Sequence, residues 1–366
     1  MAKAPQIAIL GAGIFVKTQY IPRLAEISEL VFVKAIWSRS EESARGAVEV
    51  AQKSFPGVEC KWGDKGLDEI LEDDSILGVA VALAGQAQVD VSLRVLRAGK
   101  HVLQEKPAAA CKHFKVTKHW FDNAAIIELE NALAHYNSIL THAPSKPIWA
   151  VAENYRFEPA LVEGKKLISE IGDMMSVQLV IEGSMNSSNP YFSSSWRRNF
   201  SGGFILDMGV HFIAGLRMLV GCDVVSVSAT TSHVDKTLPP PDNISSLFQL
   251  ENGCSGVFVM VVSSRVVGSK GTIQIERGNH DGRHGYVILV YGADGQSKSS
   301  FYPFSGVTDE FKSFIHDISQ ASLKKGSPYE AEPRLSYVEG ARDVAILEAM
   351  LESGSRQGAP VHVKKF

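Results

Sequence analysis

The run Ile76-Leu-Gly-Val-Ala-Val-Ala-Leu83 contains no polar side chain, so a strand built from it has no face to give to water. It is too short to cross a bilayer. Such a run belongs in a strand covered on both sides, the setting of a parallel sheet between helices. The neighbouring residues agree. Ala84-Gly85-Gln86-Ala87-Gln88 opens a helical stretch, Ala98-Gly99-Lys100 closes it with Gly99 as a C-terminal cap, and Lys100-His-Val-Leu103 begins another strand. Strand and helix alternate through the first half, which is the pattern of a doubly wound α/β sheet.

Phosphate-binding chemistry is expected where such a sheet turns into its first helix. Gln6-Ile-Ala-Ile-Leu10 reads as the first strand, and Gly11-Ala-Gly13 comes directly after it, with Ile14 and Phe15 next. Gly11 permits the tight turn, and Gly13 lets the backbone approach a pyrophosphate resting on the helix N-terminus. Val16 stands where a third glycine is usual. Ile21, Leu24, Ile27 and Leu30 then recur at helical spacing. The second strand, Val31–Ile36, ends in Trp37-Ser38-Arg39-Ser40. An acid at this place suits the ribose hydroxyl of NAD, whereas an arginine suits the 2′-phosphate of NADP. Ser38 and Arg39 therefore point to NADP, with Arg45 as a helper and NAD as the alternative. Glu41 and Glu42 fall in the first turn of the next helix.

The apolar Val102–Leu103 ends in Gln104-Glu105-Lys106-Pro107. Ligands of open α/β sheets collect beyond the carboxyl ends of the strands, and Pro107 cannot continue a ladder. Lys106 is thus held at the sheet edge, placed to meet a cofactor and a substrate. Residues 113–147 read as helix and connector. The histidines His113, His119, His135 and His142 are not grouped with acids or cysteines, so no metal site is expected. Ile148–Ala152 closes a nucleotide-binding domain of residues 1–152, and Glu153-Asn-Tyr155-Arg-Phe157 opens a second domain, 153–366.

From Val177 the texture changes to recurring β-type runs, with Asn252-Gly253 as a hairpin turn. A large, mainly antiparallel sheet is expected, in an α+β domain. Its apolar outer face would suit a homodimer or higher homo-oligomer. His280-Asp-Gly-Arg-His284 reads as a turn tip. Ahead of most of the sheet comes Ser201-Gly202-Gly203…Asp207-Met-Gly209-Val-His211. Asp207 and His211 are neighbours on one helical face, so the acid can orient an imidazole able to exchange a proton near neutral pH. The polar stretch Asn186–Ser195 leading to Trp196-Arg197-Arg198 is either a substrate lid or a surface loop.

Composition excludes several classes. Lys plus Arg 37 against Asp plus Glu 40 leaves a net charge of −3, which gives no support for nucleic acid or an anionic membrane as partner. The four cysteines form no CxxC pair and read as reduced core thiols. The first residues show no signal core, and the expected location is cytoplasmic.

Taken together, Gly11-Ala-Gly13, Glu105-Lys106-Pro107, Asn154-Tyr-Arg-Phe157 and Gly202-Gly203…Asp207-x-Gly209-x-His211 resemble the glucose–fructose oxidoreductase / inositol dehydrogenase / rhizopine catabolism (Gfo/Idh/MocA) family across nearly the whole chain. The resemblance implies a Rossmann domain followed by an α+β domain with an open sheet. It implies hydride transfer between NAD(P) and a carbinol or carbonyl, usually of a sugar or cyclitol. Carried over by position, Lys106, Asp207 and His211 form the catalytic constellation. Tyr155, Trp196 and Arg197 flank the motifs as candidate substrate contacts. Gly11, Gly13, Ile14, Phe15, Ser38, Arg39, Glu105 and Lys106 are the cofactor-side residues. Where the family commonly has Thr-Pro-Asn and a histidine, this chain has Leu83-Ala84-Gly85 and Gln88. A cofactor-bound sensor and an NAD-dependent glycosidase of the same fold are the rival readings.

Overall fold

The computed structural model describes residues 4–110, 124–143, 146–181, 191, 203–233, 238–260, 262–268, 270–292, 295–323 and 329–366. These fall into two compact units. The first comprises 1–112, 127–153 and 307–340, and the second 113–126, 154–306 and 341–366.

The first unit is built on a parallel six-stranded sheet. In chain order its strands are β1 Gln6–Leu10, β2 Phe32–Ser38, β3 Glu59–Trp62, β4 Ile76–Val81, β5 His101–Glu105 and β6 Trp149–Ala152. They lie in the order β3-β2-β1-β4-β5-β6. The order reverses between β1 and β4, where a doubly wound sheet opens its ligand crevice. Helices α1 Ile21–Ala25, α2 Glu41–Ala51, α3 Gly63–Glu72, α4 Gly85–Arg97 and α5 Ala124–His142 alternate with the strands. As expected of a strand covered on both faces, β4 is nearly all buried. Gly78 of β4 makes room for a later helix: a Cβ there would stand 3.1 Å from Ile318 Cδ1 and 3.3 Å from the Phe314 ring. Phe311 of that helix meets Tyr20 edge-on at 4.6 Å.

The helix after β1 departs from a regular pattern. Val16–Tyr20 winds as a π-helix before α1, and Val16, in place of the third glycine, is buried at its head. Wider winding is found mostly as single turns near functional sites. Ile21, Leu24 and Ile27 are buried as their spacing predicts, but Leu30 is 44% exposed. The helix has ended by then, so the apolar period no longer maps onto one face.

His101, at the start of β5, fastens it to the chain entering β6: its Nδ1 accepts from Ile148 N–H at 3.0 Å. Burial pushes this imidazole down to about 4, from an ordinary 6.5. Between those values the unfolded chain binds the additional proton, so stability falls on acidification by about 1.4 kcal/mol per pH unit. Thermal midpoints measured from neutral pH down to about pH 4.5 should show this acid limb, and His101→Gln should flatten it. Parallel profiles in the two proteins would remove the assignment.

The second unit carries a nine-stranded sheet: β7 Met174–Ile181, β8 Val224–Ser232, β9 Asn243–Leu250, β10 Ser255–Val259, β11 Val262–Gly268, β12 Gly271–His280, β13 Arg283–Gly292, β14 Ser297–Pro303 and β15 Val361–His362. The order is β14-β13-β12-β11-β7-β10-β9-β8-β15. Pairing is antiparallel except for β7 with β10. Alternation along β9 is strict: Ile244, Ser246, Phe248 and Leu250 are buried and the residues between them exposed, so one face is covered and the other is open. The open face is apolar in places, with Leu247 63% and Tyr291 40% exposed. Helices α6 Pro159–Ile168, α7 Gly203–Val220 and α9 Tyr337–Ser355 belong to this unit for most of their length, whereas α8, Gly306–Leu323, falls almost wholly in the first. The expected turns at Asn252-Gly253 and Asp281-Gly282 are present. Cys60, Cys222 and Cys254 are unpaired but part-exposed, so they are not the core thiols expected from the sequence. Cys111 lies outside the described residues.

Candidate active site

Gly11 could hardly be another residue. Its φ of +128° lies in the region that favours glycine, and a Cβ would come within 2.2 Å of Ala82 O. The close approach comes from paired strand exits: Gly11 N–H donates to Trp37 O, and Ala82 N–H donates to Leu10 O, both at 2.8 Å. Above Gly13 nothing lies within 4 Å of an ideal Cβ. Ile14, next in line, is 42% exposed, and Phe15 packs edge-on to Tyr20. Tight turn, open space and helix start together fit a dinucleotide pyrophosphate.

At the end of β2, Ser38 is half-buried and Arg39 exposed. Arg39 has no hydrogen bond or ion pair within the chain among the described residues, so its guanidinium is available. Arg45 is not equally available, because Glu41 one turn earlier holds it at Nε and Nη2. Glu41 and Glu42 occupy the first turn of α2, as their position suggested.

Glu105 ends β5 and accepts from the Tyr20 hydroxyl at 2.6 Å. Burial and the charges of Glu105 and Glu310 hold that phenol well above its ordinary value, so it stays a donor. Lys106 is half-buried at the strand exit. The turn after it is clamped by a residue that sequence reading did not single out. Gln104, fully buried, donates through Nε2 to Ala108 O at 2.9 Å and accepts from Trp149 Nε1 at 3.2 Å. Tyr337 donates to the same Ala108 O at 2.9 Å. Gln88, in the first turn of α4, is 1% exposed and its Oε1 has no partner among the described residues.

In the second unit, α7 carries Asp207 and His211 one turn apart. Asp207 is 3% exposed, while His211 is only half-buried. Between them, Gly209 lets α9 approach: a Cβ there would lie 3.0 Å from Leu347 Cδ2. The Tyr155 ring stacks on the His211 ring at 4.9 Å and 20°, and Phe212 meets it edge-on at 5.4 Å. Tyr155 is itself buried, and its hydroxyl accepts from Arg277 Nη2 at 3.2 Å. It therefore supports the histidine from behind. Arg156, its neighbour, is ion-paired with Asp343 of α9, and Asp343 also binds Arg217 of α7 at 3.0 Å. Trp196, Arg197 and the stretch Asn186–Ser195, except Tyr191, lie outside the described residues. Among the described residues no group of histidine, cysteine and acidic side chains could hold a metal ion, and no helix is long and apolar enough to cross a membrane.

Residues 6–125 match the family profile described as "Oxidoreductase family, NAD-binding Rossmann fold". Residues 165–363 match its companion, "Oxidoreductase family, C-terminal alpha/beta domain". The chain belongs to the Gfo/Idh/MocA family of oxidoreductases. Among its relatives is "Dehydrogenase FPY6" of Fusarium mangiferae, 34% identical, with 98% of this chain and 99% of the relative aligned. Two solved structures share the fold. Levoglucosan dehydrogenase in complex with NADH and levoglucosan gives a TM-score of 0.74 at 20% identity, covering 100% of both chains. KijD10, a 3-ketoreductase from Actinomadura kijaniata in complex with NADP and TDP-benzene, gives 0.70 at 20% identity, covering 97% of this chain and 98% of that one.

Proposed function

We propose that this oxidoreductase moves hydride between a nicotinamide cofactor, preferably NADP, and a hydroxyl or carbonyl carbon of a sugar, cyclitol or related polyol. The observation that carries the reading is the α7 arrangement. A buried acid stands one turn before a part-buried histidine whose ring rests on a buried tyrosine. A histidine so placed, and not wholly buried, suits proton exchange with a substrate hydroxyl. Lys106, at the exit of β5, is the second group assigned to that proton, and Asp207 orients His211. The nicotinamide, when bound, supplies the hydride acceptor or donor. Gly11, Gly13, Ile14 and Phe15 would hold the pyrophosphate end, Ser38 and Arg39 the adenosine ribose, and Glu105 and Lys106 the nicotinamide side. The open apolar face of the second sheet supports a homo-oligomer, a proposal that light scattering showing only monomer would remove.

The test is nicotinamide absorbance with purified protein across sugars, cyclitols and dihydrodiols, NADP and NAD in parallel. Net reduction, faster with NADP, is expected. Arg39→Ala should raise KM for NADP by about tenfold or more, the loss of one charge-assisted phosphate contact, and leave NAD unchanged. Equal losses with both cofactors would assign Arg39 to the fold. Cofactor binding without net reduction of any panel member would favour a sensor or a glycosidase.

A further inference from the structure

Arg156, Arg217 and Arg277 of the second unit are held by side chains of the same unit, and the last is treated differently. Arg156 and Arg217 are buried, and both are paired with Asp343, Arg217 also with Asp223. Arg277 of β12 has no carboxylate partner among the described residues. It stands opposite Tyr286 of β13, on the sheet face where Ile273 and Ile275 are buried. That face is covered by α6, whose Gly164 would place a Cβ 2.8 Å from Ile275 Cδ1. Arg277 itself, near the end of β12, is exposed as a residue. Its guanidinium is bonded to the hydroxyls of Tyr155, at 3.2 Å, and Tyr286.

A phenol partner orients a guanidinium without cancelling its charge. Tyr286 is held neutral, since burial and its neighbours push it well above its ordinary value. The nearby Glu158 is engaged by Asn154 Nδ2 and the Ser305 N–H. Two of the five donors of a guanidinium are thereby used and the rest remain for a ligand. Tyr155 connects this cation to the proton-transfer group, with its ring on His211 and its hydroxyl on Arg277.

We propose that Arg277 is a substrate-recognising residue that binds an anionic group, carboxylate or phosphate, on a substrate whose carbinol is served by His211. Arginine's planar fork matches the oxygens of both groups. The proposal rests on the functional reading above and narrows its substrate class to acidic sugars or polyols and their phosphates.

The test is calorimetric titration of the NADP-saturated protein with matched pairs: glucose against glucuronate, and myo-inositol against myo-inositol 1-phosphate. The wild-type protein should bind an acidic member at least about tenfold more tightly than its neutral partner, the scale of one charge-assisted contact. Which acidic member does so separates carboxylate from phosphate. Arg277→Gln should abolish the difference while leaving neutral ligands and cofactor unaffected, and Arg277→Lys should retain part of it. Equal binding within each pair by the wild-type protein, or no binding of either acid, would overturn the proposal without any variant. So would an Arg277→Gln protein that loses neutral and acidic ligands alike, since Arg277 would then only support Tyr155. Because binding is read without turnover, preserved discrimination in a protein that never reduces cofactor would count against the hydride-transfer reading and not against this one.

Discussion

Alanine at Lys106 or at His211 is expected to lower kcat by about 10²- to 10⁴-fold, the range a positioned acid or base contributes. His211→Ala should not move the dissociation constant for NADP more than about threefold, and Lys106→Ala, which also removes a nicotinamide-side contact, should move it by about tenfold at most, far less than the loss of turnover. The split comes from where the side chains sit. Gly11, Gly13 and Arg39, at the exits of β1 and β2, are the groups suited to the dinucleotide's phosphates. His211 stands on α7 of the other unit. Asp207→Asn should give a smaller loss with altered pH dependence, because the imidazole keeps its place and loses its orienting charge. Stopped-flow turnover and cofactor fluorescence titration measure the two quantities separately. Unchanged turnover in both alanine variants would end the proton-transfer assignment.

Asp343→Ala should be the most damaging change outside that pair. Asp343 is 1% exposed and bridges Arg156 and Arg217, themselves buried. Removing the shared acid takes a buried ion-pair partner from Arg156 and leaves Arg217 with Asp223 alone of its two acids, a loss of about 3–5 kcal/mol for a broken buried pair. The bridge also joins the 3₁₀ turn Asn154–Phe157 to α7 and α9. Tyr155 lies in that turn and His211 on that helix, so surviving protein should have a disordered His211 stack as well as a lower thermal midpoint. Asp343→Asn, which retains hydrogen bonding but not charge, should lie between. Calorimetry of soluble protein measures the effect. A midpoint within a degree or two of wild type would show that water reaches the arginines.

Much of this fold is written in local pattern. The unbroken apolar run at Ile76 announces a strand buried on both faces, and Gly11-Ala-Gly13 announces the turn whose φ of +128° excludes side chains. Asp207 and His211 are legible as a pair because a helix has a fixed period. What stayed hidden depends on contacts distant in sequence. Phe311, Phe314 and Ile318 repeat at helical spacing, which says that one face is buried and not against which sheet. Gly78 is the clue on the other side, a gap inside a strand. Gln104 reads as an ordinary polar residue in an apolar strand until Trp149 and Ala108 surround it. The Tyr155–Arg277–Tyr286 cluster brings together positions over a hundred residues apart, and only the register of β12 with β13 sets Arg277 beside Tyr286. Trp196 and Arg197 remain assignments by position.

In the proposed reaction hydride passes directly between a carbinol carbon and nicotinamide. The direct measurement takes the panel compound that turns over fastest, deuterated at its carbinol carbon, and tracks the label by NMR. Deuterium is expected at C4 of the reduced cofactor, one equivalent per turnover, with a slower rate than the unlabelled compound. Label appearing in water, or returning to product with no net cofactor reduction, would rule out direct hydride transfer as the net reaction.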